Sequence, residues 1–251
     1  MFPIRDDNTG RIRTPYVTYA LIALNVVVFV FLQGMGTNES FTYALSTIPQ
    51  EIRTGIDVAE NVTVELGDER VVIPLERTPV SVYFTLLTSM FMHGGLMHLL
   101  GNMLFLWIFG DNVEDDLSHA RYLAFYLTTG VAASLAHVTS TFVFGENPFI
   151  PSLGASGAIS GVMGGYLVLH PHRRVTVIML RMLTEVPGYA AVGLWFVFQL
   201  ISAFGVIGQG PQAGGGVAFM AHIGGFIAGV ILVKLFAVGR PVDARRSAWG
   251  N

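Results

Sequence analysis

SLGASGAISGVMGGYL (residues 152–167) contains five glycines, a single serine between Ala155 and Gly157, and no charged side chain. It lies inside a longer charge-free run, Asn147 to His172, and four more such runs occur: Thr14–Asn38, Thr78–Gly110, Tyr122–Gly145 and Val186–Val233. Only 12% of the 251 residues are charged, about half of the ~25% usual in soluble domains, and mean hydropathy is +0.58. A bilayer core takes roughly 20 apolar residues per helix. The runs therefore read as membrane spans, and the last is long enough for two. The expectation is an all-α polytopic membrane protein with six transmembrane helices, near 17–34, 96–112, 120–142, 156–170, 187–207 and 219–238.

This pattern divides the chain into an N-terminal segment (1–16), a six-helix membrane domain (17–238) and a C-terminal tail (239–251). An even number of spans puts both ends on one side. With that side cytoplasmic, Arg5, Arg11, Arg13, Arg121, Arg173, Arg174, Arg181, Lys234, Arg240, Arg245 and Arg246 lie inside, and only Arg53, Arg70 and Arg77 lie outside. The split fits the positive-inside rule, in which acidic residues count little; the acidic loop DNVEDDLSHAR (111–121) is the one that fits poorly. The first apolar run lacks a small-residue cleavage site and reads as a retained anchor. Cysteine is absent, which excludes disulfides, a cysteine nucleophile and thiolate metal sites. A net charge of −3 without a basic stripe gives no reason to expect nucleic acid as a partner.

A long first external loop, about 35–95, carries its own patterns. ALSTIPQEIRTG (44–55) predicts a short helix, and NVTVELGDERVVIP (61–74) predicts a β-hairpin turning at Gly67-Asp68. VYFTLLTSMFMHGGL (82–96) is apolar but too close to the second span to cross separately, so it is expected at the membrane interface or re-entrant. GQGPQAGGG (208–216) reads as a flexible external loop.

Polar side chains within a membrane are costly and tend to mark function. His98 and Asn102 open the second span, Ser156 the fourth and His222 the sixth. These three spans run in the same direction, so all four residues share one depth near the outer face. Ser156 to His170 is a short span of 15 residues, covering roughly 22 Å of a core about 30 Å thick, which sets Ser156 below the membrane surface. Gly157, Gly161 and Gly165 recur every four residues, and Gly225 and Gly229 form a second small face. Such faces let transmembrane backbones approach closely, bringing His222 towards Ser156.

A serine within reach of a histidine is the minimal activated nucleophile. His98 and Asn102 lie on one helix face, and the Ser156 amide opens a helix, where N–H groups are unpaired; all three could donate to an oxyanion. No carboxylate is placed behind His222, so the reading is a Ser–His dyad. His93, His98 and His222 are an alternative metal set, but no H-E-x-x-H motif and no nearby carboxylate supports it, and no metal or cofactor is expected. Trp195, Phe196 and Phe198 read as packing residues.

These residues resemble the rhomboid family of intramembrane serine proteases. The motifs that carry the resemblance are MHGGLMHLLGNMLFLWIFGDNVED (92–115), GASGAISGVMGGY (154–166) and AHIGGFIAG (221–229), and it extends from TPYVTYALIALNVVVFVF (14–31) through the sixth span. The resemblance implies Ser156 as nucleophile and His222 as general base and acid. It implies His98, Asn102 and the Ser156 amide as oxyanion donors, and a lateral entrance near spans two and five under the 208–218 loop. The implied partners are transmembrane protein substrates within a lipid bilayer, and the implied location is the cell membrane with the site opening outward. The alternative is a non-catalytic relative that binds transmembrane clients. Phe84-Thr85 stands where many members carry Trp-Arg. Ser160 stands where some carry an aromatic that stacks on the histidine, so other contacts must orient His222, with Ser160 itself as the expected hydrogen-bond donor.

Overall fold

The computed structural model describes residues 2–66, 69–180, 182–209 and 218–238. A strand, β1 (Phe2–Asp6), precedes α1 (Tyr16–Val27), which continues into a π-helical turn, Val28–Leu32. The first loop holds α2 (Glu39–Ala44), α3 (Pro49–Thr54), the strands β2 (Asn61–Leu66) and β3 (Glu69–Pro74), and a helical stretch over 82–91 that includes α4 (Thr85–Thr88). Then follow α5 (Leu96–Leu117), α6 (His119–Phe144), α7 (Ser156–Leu169), β4 (Arg174–Met179), β5 (Met182–Pro187), α8 (Gly188–Gln209) and α9 (Phe219–Phe236).

The described chain is mostly helical, and four of its helices (α5, α6, α8 and α9) are long and apolar enough to cross a membrane. Two of the expected spans fall on shorter apolar helices, α1 with its π turn and α7. The glycine-rich stretch at 210–217, the tail 239–251 and the hairpin turn Gly67-Asp68 lie outside the described residues.

The centre of the bundle is α7. Every residue from Gly157 to Tyr166 is buried, which is how a helix apolar on all sides behaves. It packs on α9, α6 and α5. The crossing with α9 is made backbone to backbone: a Cβ at Gly225 would collide with the Gly157 carbonyl oxygen, and one at Gly229 with that of Gly161. The Cβ directions of Gly157 and Gly161 face α6 instead, at Ala133 and Thr129, while Gly165 faces Phe125 and Val233. Gly164, outside the four-residue repeat, is the α7 glycine whose Cβ would strike the α9 backbone at Phe226.

Strictly all-α architecture is corrected by two sheets. One is the first-loop hairpin, paired in register from Asn61↔Pro74 to Leu66↔Glu69, as the alternating sequence predicts. Its Val64 and Ile73 form a small buried cluster with Ile48 and Leu75, with Phe149 and Ile150 of the α6–α7 connection packed against it. The other is a three-stranded antiparallel sheet in the order β1-β4-β5, with β1 running from Phe2↔Ile178 to Asp6↔Val175. RVTVIM (174–179) has the alternation of a strand, but its partner FPIRD is far away in sequence, and arginine-flanked connections between spans read as loops.

This sheet gathers the N-terminus and the α7–α8 connection at one end of the bundle, opposite Ser156. The acidic α5–α6 corner joins them. Glu114 accepts hydrogen bonds from the Val17 and Thr18 amides at 2.8 and 2.7 Å and from the Thr18 hydroxyl at 2.7 Å. It thus satisfies donors that the first turn of α1 leaves open. Arg11 pairs with Asp111, and the Arg13 amide donates to Asp115 at 2.6 Å. The acidic loop is therefore an internal partner of the N-terminal arginines.

Candidate active site

Ser156 is the first residue of α7, and its position is set by the turn before it. Gly154 has φ +121°, a conformation that L side chains rarely adopt. A Cβ there would come within 2.8 Å of the His98 ring and 3.7 Å of Asn102 Nδ2. Glycine thus lets the turn lie against both α5 side chains, and the Gly154 amide is held by the Ser89 carbonyl at 2.9 Å. The amides at the start of α7 have no helical acceptor.

From α9, His222 Nε2 lies 2.7 Å from Ser156 Oγ. On its other side, Nδ1 lies 2.9 Å from Oε1 of Gln199 on α8. Trp195 and Phe219 flank the His222 ring at centroid distances of 6.1 and 6.4 Å. The expected contact from Ser160 is not the one made: its hydroxyl donates to the Ser156 carbonyl at 2.6 Å, one turn back in its own helix. The one proton of the Ser160 hydroxyl is taken by that bond, and the group in contact with His222 Nδ1 is Gln199. Trp195 packs between the His222 and Phe226 rings, Phe196 stacks on Phe226 at 4.1 Å, and Phe198 is exposed.

All four polar residues singled out in the sequence open onto one cleft of about 1100 Å³. His98 Nδ1 accepts from the Gly94 amide at a long 3.4 Å, which leaves Nε2 to carry the proton. Asn102 Nδ2 is buried and makes no hydrogen bond within the described protein. The His98 and Asn102 side chains thus line the same cleft as Ser156, the residue that opens α7. The cleft extends past His137, Thr141 and Glu146 to Tyr43 and Ile73 of the first loop. Burial raises the Glu146 carboxyl above its ordinary value.

Sequence reasoning missed Gln199, His137 and Gln33. Each is a strongly polar side chain in an apolar run, the signal used for His98 and Asn102. Gln33 is fully buried and clamps the end of α1 to the approach to α5, accepting from the His93 amide at 3.0 Å and donating to its carbonyl at 2.9 Å. Among the described residues, no three His, Asp or Glu side chains group as a metal site.

A bundle of apolar helices holding a half-buried serine and histidine within hydrogen-bond distance defines a helical membrane protein with a polar cleft. The chain belongs to the rhomboid family: the Rhomboid domain matches residues 81–238. Among curated relatives it is 31% identical over 157 residues to Rhomboid protein 1, mitochondrial, of Saccharomyces cerevisiae, covering 62% of this chain and 43% of that protein. It is 33% identical over 155 residues to the Rhomboid protease GluP of Bacillus subtilis, covering 61% and 24%. To the human Presenilin-associated rhomboid-like protein, mitochondrial, it is 34% identical over 105 residues, covering 42% and 27%. The matched segment spans less than half the length of each relative.

Proposed function

We propose that this protein is an intramembrane serine endopeptidase that hydrolyses peptide bonds in or near transmembrane segments of other membrane proteins. The observation that carries the reading is the 2.7 Å approach of His222 Nε2 to Ser156 Oγ inside the cleft. Family membership, with a relative named as a protease, supports it.

In this reading the six spans are α1, α5, α6, α7, α8 and α9. The N-terminus, the α5–α6 corner and the α7–α8 sheet face the cytoplasm, and the cleft opens outward at the cell membrane. A substrate helix enters laterally and unwinds locally, exposing the carbonyl that its helical hydrogen bonds conceal. Ser156 Oγ attacks that carbonyl carbon as His222 takes the hydroxyl proton. His98, Asn102 and the Ser156 amide hold the oxyanion. His222 returns the proton to the leaving amine, and water then hydrolyses the acyl-enzyme by the same route.

The test is incubation of purified protein with a panel of transmembrane peptides, with labelling by a fluorescent fluorophosphonate in parallel. Wild type is expected to cut and to label, with both activities lost in Ser156→Ala and strongly reduced in His222→Ala. Binding of the peptides without turnover, or labelling that survives Ser156→Ala, overturns the reading; the first outcome identifies a non-catalytic client-binding relative.

A further inference from the structure

We infer that Gln199 is the positioning residue of this site: its side-chain carbonyl holds His222 in the one tautomer and orientation able to accept the Ser156 proton. The inference rests on the serine–histidine reading above and adds a third member to it.

A neutral imidazole carries one N–H, and the group bonded to that nitrogen decides which it is. His222 has two neighbours in opposite directions, Gln199 Oε1 at 2.9 Å from Nδ1 and Ser156 Oγ at 2.7 Å from Nε2. A carbonyl oxygen only accepts, so the proton resides on Nδ1, and Nε2 presents its lone pair to the serine hydroxyl. The other tautomer would direct an N–H at Ser156 Oγ and remove the base. Gln199 is itself buried and borders the same cleft. Its helix packs on α9, so the amide is held by the bundle and not by a loop.

The carbonyl also answers a need that appears during attack. When His222 becomes imidazolium, Nδ1–H carries part of the positive charge, and hydrogen bonds to charged groups are the stronger kind. The other titratable neighbours of His222 are His98 on α5 and His137 on α6, with Glu146 further along the cleft wall. The Gln199 amide dipole is therefore the acceptor in direct contact with the ring's far side. Trp195, one helical turn away on α8, borders the same ring and limits its rotation.

The test uses the full chain in detergent and a fluorescent fluorophosphonate, whose second-order labelling separates into kinact and KI at each pH from 5 to 9. Gln199→Met keeps the volume and removes the acceptor; Gln199→Glu keeps an acceptor and adds charge. Gln199→Met is expected to lower kinact about 10–100-fold with KI within about twofold. Gln199→Glu is expected to recover at least about tenfold of that loss at pH 9. Its acidic limb should move to higher pH than that of wild type, because a carboxylate stabilises the imidazolium. A Gln199→Met kinact within threefold of wild type, or a Gln199→Glu no faster than Gln199→Met at pH 9, overturns the assignment. If Gln199→Met lacks a cooperative melting transition, Gln199→Glu decides alone: activity at pH 9 with a displaced acidic limb supports the assignment, and an inert protein or a superimposable profile overturns it. Wild-type protein that does not label, or labels equally as Ser156→Ala, instead overturns the serine–histidine reading and this inference with it.

Discussion

At the Ser156 end of α7, polar side chains line an open cleft and several keep unused hydrogen-bonding capacity; at the His170 end they are bonded to one another. Asn102 Nδ2 and both ring nitrogens of His93 are buried without a hydrogen-bond partner in the described protein. At the far end, Asn112 Nδ2 donates to Asp6 and to Asn8 Oδ1, the latter at 2.9 Å, and Arg173 reaches Asn112 Oδ1. The Tyr166 hydroxyl bonds Asp6 at 3.1 Å, His119 meets Glu114 at 2.6 Å, and His170 pairs with Asp116 at 3.0 Å. A buried donor left unsatisfied costs about 1–3 kcal/mol. The far end avoids that cost for most of its polar groups, the buried Tyr122 and Tyr126 hydroxyls being exceptions among the described residues, and ties the N-terminus, the α5–α6 corner and the α7–α8 sheet together. At the cleft end the Asn102 amide has no protein partner among the described residues and borders the cleft, where in the proposed reaction it can donate to a carbonyl oxygen. One end is bonded within the protein, and the other presents polar groups to a cleft.

The comparison can be broken at the crossing that connects the two ends. Gly229→Val puts branched carbon against the Gly161 carbonyl and must push α9 off α7. Since a misplacement of about 1 Å can cost on the order of 100-fold in rate, fluorophosphonate labelling should be lost and melting in detergent lowered. Asn102→Ala sharpens the contrast. It should lower kcat about 100–1,000-fold, the usual cost of one oxyanion donor, while leaving the melting temperature unchanged or raised, because an unsatisfied buried amide is removed. Glu114→Ala should do the reverse. Four donated contacts lose their acceptor, for about 2–4 kcal/mol of stability. Protein that remains folded should label Ser156 at the wild-type rate. An Asn102→Ala protein that melts early with normal activity would erase the distinction between the ends.

The cleft end was the more legible of the two in the sequence. Ser156, His98, Asn102 and His222 stand out because each interrupts an apolar run, and the common direction of their helices converts four sequence positions into one depth. Gln199 interrupts a run in the same manner, but on a helix of opposite direction. There, depth cannot be read from a shared starting point, and its pairing with His222 depends on how α8 packs on α9. The hairpin was legible because its two strands are adjacent and alternate in register. The β1-β4-β5 sheet was not, since a strand of five residues carries little periodic signal and finds its partner across most of the chain. The acidic corner was misleading for a related reason. Charge counting treats each loop alone, whereas Glu114 and Asp111 are answered by the backbone of α1 and by Arg11.

The smallest expected effect concerns Asp6, where the locked end meets the N-terminal strand. Burial, and then the charge of Asp111, raises its carboxyl from 3.8 to about 7, although Tyr166 and Asn112 both donate to it. The docked strand therefore binds this proton more tightly than the detached strand does. Its contribution to docking is fully present below about pH 4 and is lost as pH rises through about 7. Each pKa unit corresponds to about 1.4 kcal/mol, so between pH 5 and 7 the amides of β1 should lose up to about 100-fold in hydrogen-exchange protection after correction for the intrinsic rate. Asp6→Asn removes the proton equilibrium and keeps a side-chain oxygen for Tyr166 and Asn112, and its protection should be flat over the same range. The rate at which Ser156 labels should be the same in both proteins at any one pH, because Asp6 lies at the opposite end of α7. Equal pH dependence of β1 exchange in wild type and Asp6→Asn would mean that the strand's docking is held by its pairing with β4 alone.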